Sequence, residues 1–264
     1  HLKKIKGLTA VINFRVFIVT ITTLIAFYLC YTYDLKLFVD FNVISIAIVF
    51  PLVFTLGSAF QRREKALEHL GRAKGALASI KYCFSASKVL ETEKKKIYSE
   101  VVNVKSELIN FLYSKSNDKT KLNDSIDEIK KFIDANREGL GRSLTLRVYR
   151  LMRDVIMGIE NSISIKVHRT PQSIRAYCEL FIYIFPFYYA PTLIFNLGNV
   201  STDFEIGSTL GGSEVFDTTF LVYALNFIIS FILISLFNVQ EQIEDPFDQD
   251  GMDDIKLENY ELEY

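Results

Sequence analysis

Residues Phe41–Gln61 read FNVISIAIVFPLVFTLGSAFQ, a run of 21 residues without a charged side chain. An α-helix rises roughly 1.5 Å per residue, so a helix of this length matches the ~30 Å hydrocarbon thickness of a bilayer. Three other charge-free runs are comparably long: Val16–Tyr33, Leu180–Thr202 and Thr218–Gln240. A chain of 264 residues rarely buries four such runs in a soluble core. The sequence therefore predicts an all-α integral membrane protein with four transmembrane helices.

The charge map divides the chain into four predicted segments. Residues 8–60 hold transmembrane helices 1 and 2, and Arg15 is expected to snorkel or to pair inside the bundle. Residues 61–170 form a region of long helices outside the membrane, residues 171–238 hold transmembrane helices 3 and 4, and residues 239–264 form an acidic tail. Because 23 of the 30 Lys and Arg lie in the second segment, the positive-inside bias predicts that this segment and both termini are cytoplasmic. We expect a plasma or inner membrane.

Opposite charges mark the second segment and the tail. Arg62–Arg169 carries 23 basic and 14 acidic residues, whereas Val239–Tyr264 carries ten acids and one Lys. Opposite excesses of this size favour attraction, so we hypothesise that the tail docks on the basic helices of its own or a neighbouring subunit. A solvated acidic tail is the alternative.

The apolar spacing of the second segment is that of amphipathic helices. Apolar residues recur every three or four positions, as expected for one face of a helix. Turn-forming residues fall at Ser114–Lys121 and Gly139–Gly141. The pattern also predicts that the second span continues as one helix beyond Ala59. The periodic apolar positions are Ile97, Val101, Val104, Leu108 and Leu112; Leu122, Ile126, Ile129 and Ile133; and Leu151, Val155, Ile159 and Ile163.

Residue types that would indicate an enzyme or a metalloprotein are sparse. The three cysteines, Cys30, Cys83 and Cys178, lack metal-ligand spacing and are interpreted as buried or reduced thiols. No span carries paired carboxylates, a His-Glu-x-x-His motif or a Gly-x-Ser-x-Gly turn. We expect neither an enzyme nor a nucleic-acid-binding protein.

Several short motifs follow one another in a recognisable order. The second span contains Ile46–Phe54, IAIVFPLVF, followed by Gly57–Glu64, GSAFQRRE. The third span is preceded by Arg169-Thr170-Pro171, and the fourth is followed by Glu241–Asp254, EQIEDPFDQDGMDD. In this order the motifs resemble the bestrophin family of channels. The chain departs from most relatives because it has no Trp, so it resembles a divergent, bacterial-type branch.

The resemblance implies a homopentameric channel that conducts anions such as chloride, although bacterial-type relatives can favour cations. It also implies a pore neck formed by Ile46, Phe50 and Phe54. These residues are spaced i, i+4 and i+8, so they share one helical stripe that spans about 12 Å. Five copies would form stacked apolar rings that close the pore by excluding water. A stripe that faces lipid or packs within the bundle is the alternative.

The sequence leaves other pore-lining positions unassigned. A smaller and more polar face of the second span, formed by Ala47, Pro51, Thr55 and Ser58, is the rival lining. The resemblance also implies a lower constriction on the helix that follows Arg142, and Leu144 or Leu146 is the candidate. For Leu144 and for Leu146, packing in a protein core is the alternative role.

The acidic motif after the fourth span suggests calcium. Carboxylate and amide oxygens are ligands that Ca²⁺ accepts, and relatives gated by Ca²⁺ carry a similar set. The sequence does not match an EF-hand loop, and a bacterial-type channel without a bound metal is the alternative. The candidate ligands are Gln242, Asp245, Asp250 and Asp253.

A second class of function is also compatible with the sequence. The long helices of Arg62–Arg169 could serve as a membrane-anchored scaffold or sensor that binds protein partners. Ion conduction by the purified protein would discriminate between the two hypotheses.

Overall fold

A computed structural model describes residues 11–38, 40–169, 171–198, 218–249, 251 and 253–260, and these residues are α-helical without a β-strand. Seven α-helices and one short 3-10 turn account for the regular structure of the described residues. Their bounds are α1 Phe14–Thr32, α2 Phe41–Ser85, α3 Glu91–Tyr113, α4 Thr120–Ala135, α5 Arg137–Val167, α6 Gln172–Gly198 and α7 Thr218–Glu244, with the 3-10 turn at Leu257–Asn259.

The chain forms two compact units. The first, here called the membrane unit, comprises His1–Ala59 and Thr170–Gln242; the second, here called the extramembrane unit, comprises Phe60–Arg169 and Ile243–Tyr264. Helix α2 contributes residues to both units, and it is one helix of 45 residues. The predicted continuation of the second span beyond Ala59 is therefore confirmed.

The membrane unit packs around two apolar clusters. The order of their residues is the same along α1 and α6 and reversed along α7, so α7 is antiparallel to the other two helices. The inner cluster contains Val16, Val19, Ile48, Leu52, Cys178, Ile182, Phe185, Leu233, Ile234 and Phe237. The outer cluster contains Phe27, Cys30, Ala190, Leu193 and Val222.

Three stretches are long and apolar enough to cross a membrane: Phe14–Thr32, one within Arg137–Asn196, and Val222–Glu244. The charge-free part of the second stretch belongs to α6. By length and composition, these spans indicate a membrane protein. The predicted span over Phe41–Gln61 forms the first half of α2, and its crossing of the bilayer stays a prediction.

The extramembrane unit has a conventional buried core. The residues of the predicted apolar stripes line it, with Ile97, Val104 and Ile129 fully enclosed and Ile126 and Leu151 at its edge. Both predicted turns are confirmed: one separates α3 from α4, and the other holds Gly141, whose φ of 72° interrupts α5. Sequence reasoning missed the turn that ends α2 at Ser85.

The tail docks onto the helices of the extramembrane unit, as the charge pattern predicted, but chiefly through apolar side chains. Phe247, Ile255, Leu257 and Tyr260 belong to the core of this unit. The backbone N–H of Leu257 donates to the Tyr113 hydroxyl at 2.8 Å. The described part of the tail, up to Tyr260, is therefore part of the fold and not a solvated appendage.

Candidate functional site

The apolar stripe of α2 points out of the subunit. Ile46, Phe50 and Phe54 are 65%, 59% and 62% exposed, whereas Ile48 and Leu52 on the opposite side belong to the inner cluster. The rings of Phe50 and Phe54 lie edge to face with their centroids 4.4 Å apart. The described residues of one subunit leave more than half of each of these side chains uncovered, so lipid, a second copy or a pore lies against the stripe.

The rival face of α2 is divided between burial and exposure. Thr55 is buried and its hydroxyl donates to the Leu52 carbonyl at 2.9 Å, while Ala47 and Pro51 are half-buried and Ser58 is exposed. A face whose middle residue is packed inside the subunit cannot form a continuous lining outside it. The neck assignment to Ile46, Phe50 and Phe54 stays a prediction, and this packing favours it over the rival.

A cleft of about 670 Å³ lies between α2 and the start of α6 in the membrane unit. It opens beside the stripe, and the Tyr177 hydroxyl donates across it to the Ala47 carbonyl at 3.3 Å. The cleft thus joins the candidate neck to the segment that follows Thr170-Pro171. Its lining residues are Phe50, Pro51, Phe54, Thr55, Ser58, Pro171, Ser173, Ile174 and Tyr177.

The two candidates for the lower constriction differ in burial. Leu144 packs against the core of the extramembrane unit, whereas Leu146 is 57% exposed. The structure adds Ile156 and Met157, which are also exposed apolar residues of α5. The sequence could have indicated them, because both are apolar residues outside the i, i+4 spacing of the buried Val155 and Ile159.

Charged residues link three helices of the membrane unit. The Glu241 carboxylate of α7 accepts from Arg15 of α1 at 2.7 Å and also pairs with Arg175 of α6. Asn13, whose side chain caps α1, donates to the side-chain oxygen of Asn238 at 3.0 Å. The expectation that Arg15 pairs is therefore confirmed. Such a pair reduces the free-energy cost of placing a charge at the edge of a bilayer.

The Arg that follows the second span closes the end of α5. Arg62 donates to the carbonyls of Ile165 and His168 at 2.6 Å and 2.5 Å. These carbonyls lack donors within the helix, so the guanidinium acts as a C-cap. Burial lowers the pKa of Arg62, and the nearby Glu244 and Asp245 oppose that shift. The GSAFQRRE motif thus has a structural role at this point.

The acidic segment does not show an assembled metal site. Asp245 pairs with Arg169 at 2.7 Å and accepts from the Phe247 N–H at 3.1 Å. The Asp253 side chain is exposed, Gln242 lies in the last turn of α7, and Asp250 is outside the described residues. Within the described ranges, no group of three His, Cys, Asp or Glu is placed to hold a metal. Calcium binding stays a prediction.

The structure adds Asp254, which sequence reasoning passed over. Its carboxylate accepts from the Gly251 N–H at 2.8 Å. Burial, together with the charges of Asp248 and Asp245, raises the pKa of Asp254 to about 7. The sequence shows only that Asp254 belongs to an acidic run, since its burial depends on how the tail docks.

Comparison with known proteins identifies the fold. No protein-family model matches the sequence, and neither does a curated protein. A bacterial bestrophin homologue from Klebsiella pneumoniae is similar with a TM-score of 0.70 and 16% identity, over 93% of this chain and 92% of that chain.

Two more crystal structures agree. A substituted form of the same homologue is similar with a TM-score of 0.73 and 17% identity, and a protein described only as a membrane protein gives 0.72 and 16%. Both likenesses cover 93% of this chain and 92% of the other. The resemblance seen in the motifs is thereby confirmed at the level of the fold: this chain is a membrane protein with the fold of the bacterial bestrophin homologues.

Proposed function

We propose that the chain is one subunit of a homopentameric ion channel whose gate is the apolar neck of Ile46, Phe50 and Phe54. The observation that carries the proposal is that these three large side chains stay exposed on one stripe of a membrane helix. Five such stripes around an axis would hold a narrow apolar constriction, which excludes water until the helices move apart. The chain would cross the membrane four times, with both termini in the cytoplasm.

The neck predicts the effect of shortening one side chain. Phe50→Ala removes a ring from each subunit, so the constriction should wet more readily and the purified channel should conduct more or stay open. Phe17→Ala is the matched control, because Phe17 of α1 is equally exposed at 59% but lies on another helix. Single-channel recording in planar bilayers measures both. Equal currents for Phe50→Ala and the unsubstituted protein would place the stripe elsewhere.

The permeant ions are proposed to be anions, chloride among them. The extramembrane unit supports this choice, because α5 carries three exposed arginines, Arg142, Arg147 and Arg150. Cation conduction is the alternative, and the acidic loop that favours it, Asp203–Asp217, lies outside the described residues. Reversal potentials under asymmetric sodium chloride separate the two, since they shift towards the equilibrium potential of the permeant ion.

Leu146 is proposed to form the lower constriction in preference to Leu144. Its side chain is available to neighbouring copies, whereas Leu144 contributes to the core of its own subunit. Leu146→Ala should therefore change conductance with little loss of stability. Leu144→Ala should lower the stability of the protein and leave its conductance nearly unchanged.

Calcium is proposed as a ligand of the acidic segment. Millimolar Ca²⁺ should then raise the thermal stability of the purified protein, because a ligand that binds only the folded state stabilises it. Asp253→Asn should remove the shift, and Glu258→Gln, at an exposed acid of the same tail, should keep it. A thermal midpoint that Ca²⁺ leaves unchanged would rule the site out.

A scaffold that binds protein partners is the second candidate function, and the exposed apolar residues Leu146, Ile156 and Met157 favour it. Ion flux from liposomes that contain the purified protein distinguishes the channel from the scaffold. Silence under all calcium and voltage conditions would favour the scaffold.

A further inference from the structure

The buried face of α7 contains two polar residues at its middle. The residues on this face recur at helical spacing, and its two ends belong to the apolar clusters of the membrane unit. Asn226 is 0% exposed and Ser230 is 2% exposed. In order, the face consists of Val222, Asn226, Ser230, Leu233 and Phe237.

These two side chains lack hydrogen-bond partners. Neither Oδ1 nor Nδ2 of Asn226, nor the hydroxyl of Ser230, meets a donor or acceptor among the described residues. An unpaired amide is costly in an apolar interior, and more so inside a bilayer where bulk water is absent. Groups of this kind are usually satisfied by a molecule bound within the protein.

Polar residues on the two neighbouring helices occupy the same level. Thr23 of α1 is buried between Val19 of the inner cluster and Phe27 of the outer cluster. Tyr189 of α6 packs against both clusters. The Thr23 hydroxyl donates to the Val19 carbonyl at 2.7 Å, which leaves its oxygen able to accept. Thr23, Tyr189, Asn226 and Ser230 thus form a polar layer between two apolar ones.

We propose that this polar layer binds a water molecule, held by the Asn226 amide and the Ser230 hydroxyl. A site enclosed to this degree admits neither a lipid headgroup nor a side chain of a second copy. The two unpaired atoms of Asn226 are a donor and an acceptor, so a bare anion would satisfy one and a bare cation the other. Water satisfies both, and the three polar atoms supply the two to four partners that a buried water needs.

Ser230→Ala tests the proposal without overfilling the site. If a water bridges Ser230 and Asn226, the substitution removes one of its ligands and lowers the thermal midpoint by about 2–4 °C. If the hydroxyl is unpaired, its removal leaves the midpoint unchanged or raises it. Ser235→Ala is the matched control, because the hydroxyl of Ser235 is also unpartnered within the described residues but lies off this face. The loss for Ser230→Ala should exceed the loss for this control.

A double substitution and a density map complete the test. Asn226→Leu should lower the midpoint, and combining it with Ser230→Ala should lower it little further, because both remove the same water. A high-resolution map of the full chain in nanodiscs should show one peak within hydrogen-bond distance of both side chains. A dry site in that map would overturn the proposal. A thermal midpoint that changes when chloride is replaced by gluconate, or sodium by choline, would also overturn it. An ion would then be the ligand.

Discussion

The two units of the molecule use the same helical spacing of apolar residues in opposite ways. In the extramembrane unit, Val104, Ile129 and Val155 are fully enclosed, because burying apolar side chains away from water is favourable. In the membrane unit, Phe50, Phe54 and most of the outward face of α1 are exposed. The difference shows that periodicity predicts a helix, whereas the surroundings decide which face is covered. In the membrane unit that cover must come from lipid or from other copies.

A few side chains of the extramembrane unit depart from its rule. The large apolar residues of this unit that are exposed include Leu90, Leu146, Ile156, Met157 and Val167. A soluble surface tolerates such residues singly, but four of these five lie on α5. We expect other copies of the chain to cover this helix.

The largest effect is expected where the tail enters the core of the extramembrane unit. Phe247→Ala removes a ring that is buried in that core, and the expected cost is about 3–5 kcal/mol. Asp245→Asn removes the charge of a nearly buried carboxylate that pairs with the exposed Arg169, and its expected cost is lower, about 1–3 kcal/mol. Thermal denaturation and limited proteolysis of the tail measure both. A larger loss for Asp245→Asn would mean that charge, and not apolar burial, holds the tail.

A smaller loss is expected where α5 approaches α2. A Cβ at Gly158 would lie 2.7 Å from the His69 carbonyl oxygen and 2.9 Å from the Ala73 nitrogen, which are backbone atoms. Gly158→Ala should therefore destabilise the protein by about 1–3 kcal/mol. Gly75→Ala, in the open on α2, should instead stabilise it by up to about 1 kcal/mol. Equal effects at the two positions would show that these helices do not pack as described.

Stability should also depend on pH, through one carboxyl group of the tail. The pKa of Asp254 is about 7 in the folded protein and about 3.9 in an unfolded chain. Between these values the folded state holds a proton that the unfolded state releases, so stability should fall as pH rises from about 4 to about 7. Asp254→Asn should flatten that part of the profile. An unchanged slope would assign the dependence to other groups.

Much of the fold could be predicted from the sequence, because it rests on local patterns. Charge-free runs predicted the spans found in α1, α6 and α7. The spacing that begins at Ile97 predicted the core face of α3, and the residues around Gly141 predicted the interruption of α5. Opposite charges predicted the docking of the tail, although the tail residues buried in the core are apolar side chains such as Phe247 and Leu257.

Contacts between distant parts of the chain could not be predicted in this way. The pairing of Glu241 with Arg15 joins residues more than 200 positions apart, and no local pattern specifies it. The burial of Asn226 and Asp254 likewise depends on how several segments pack. For Phe50 and Phe54 the structure gives the exposure, but no local pattern specifies whether lipid or another copy of the chain covers them.

The number and arrangement of subunits test the central claim most directly. Imaging of the detergent-solubilised particle at side-chain resolution should show a fivefold ring, with Phe50 and Phe54 of α2 facing the axis. A single subunit, or a ring whose central opening is lined by another helix, would contradict the proposed neck.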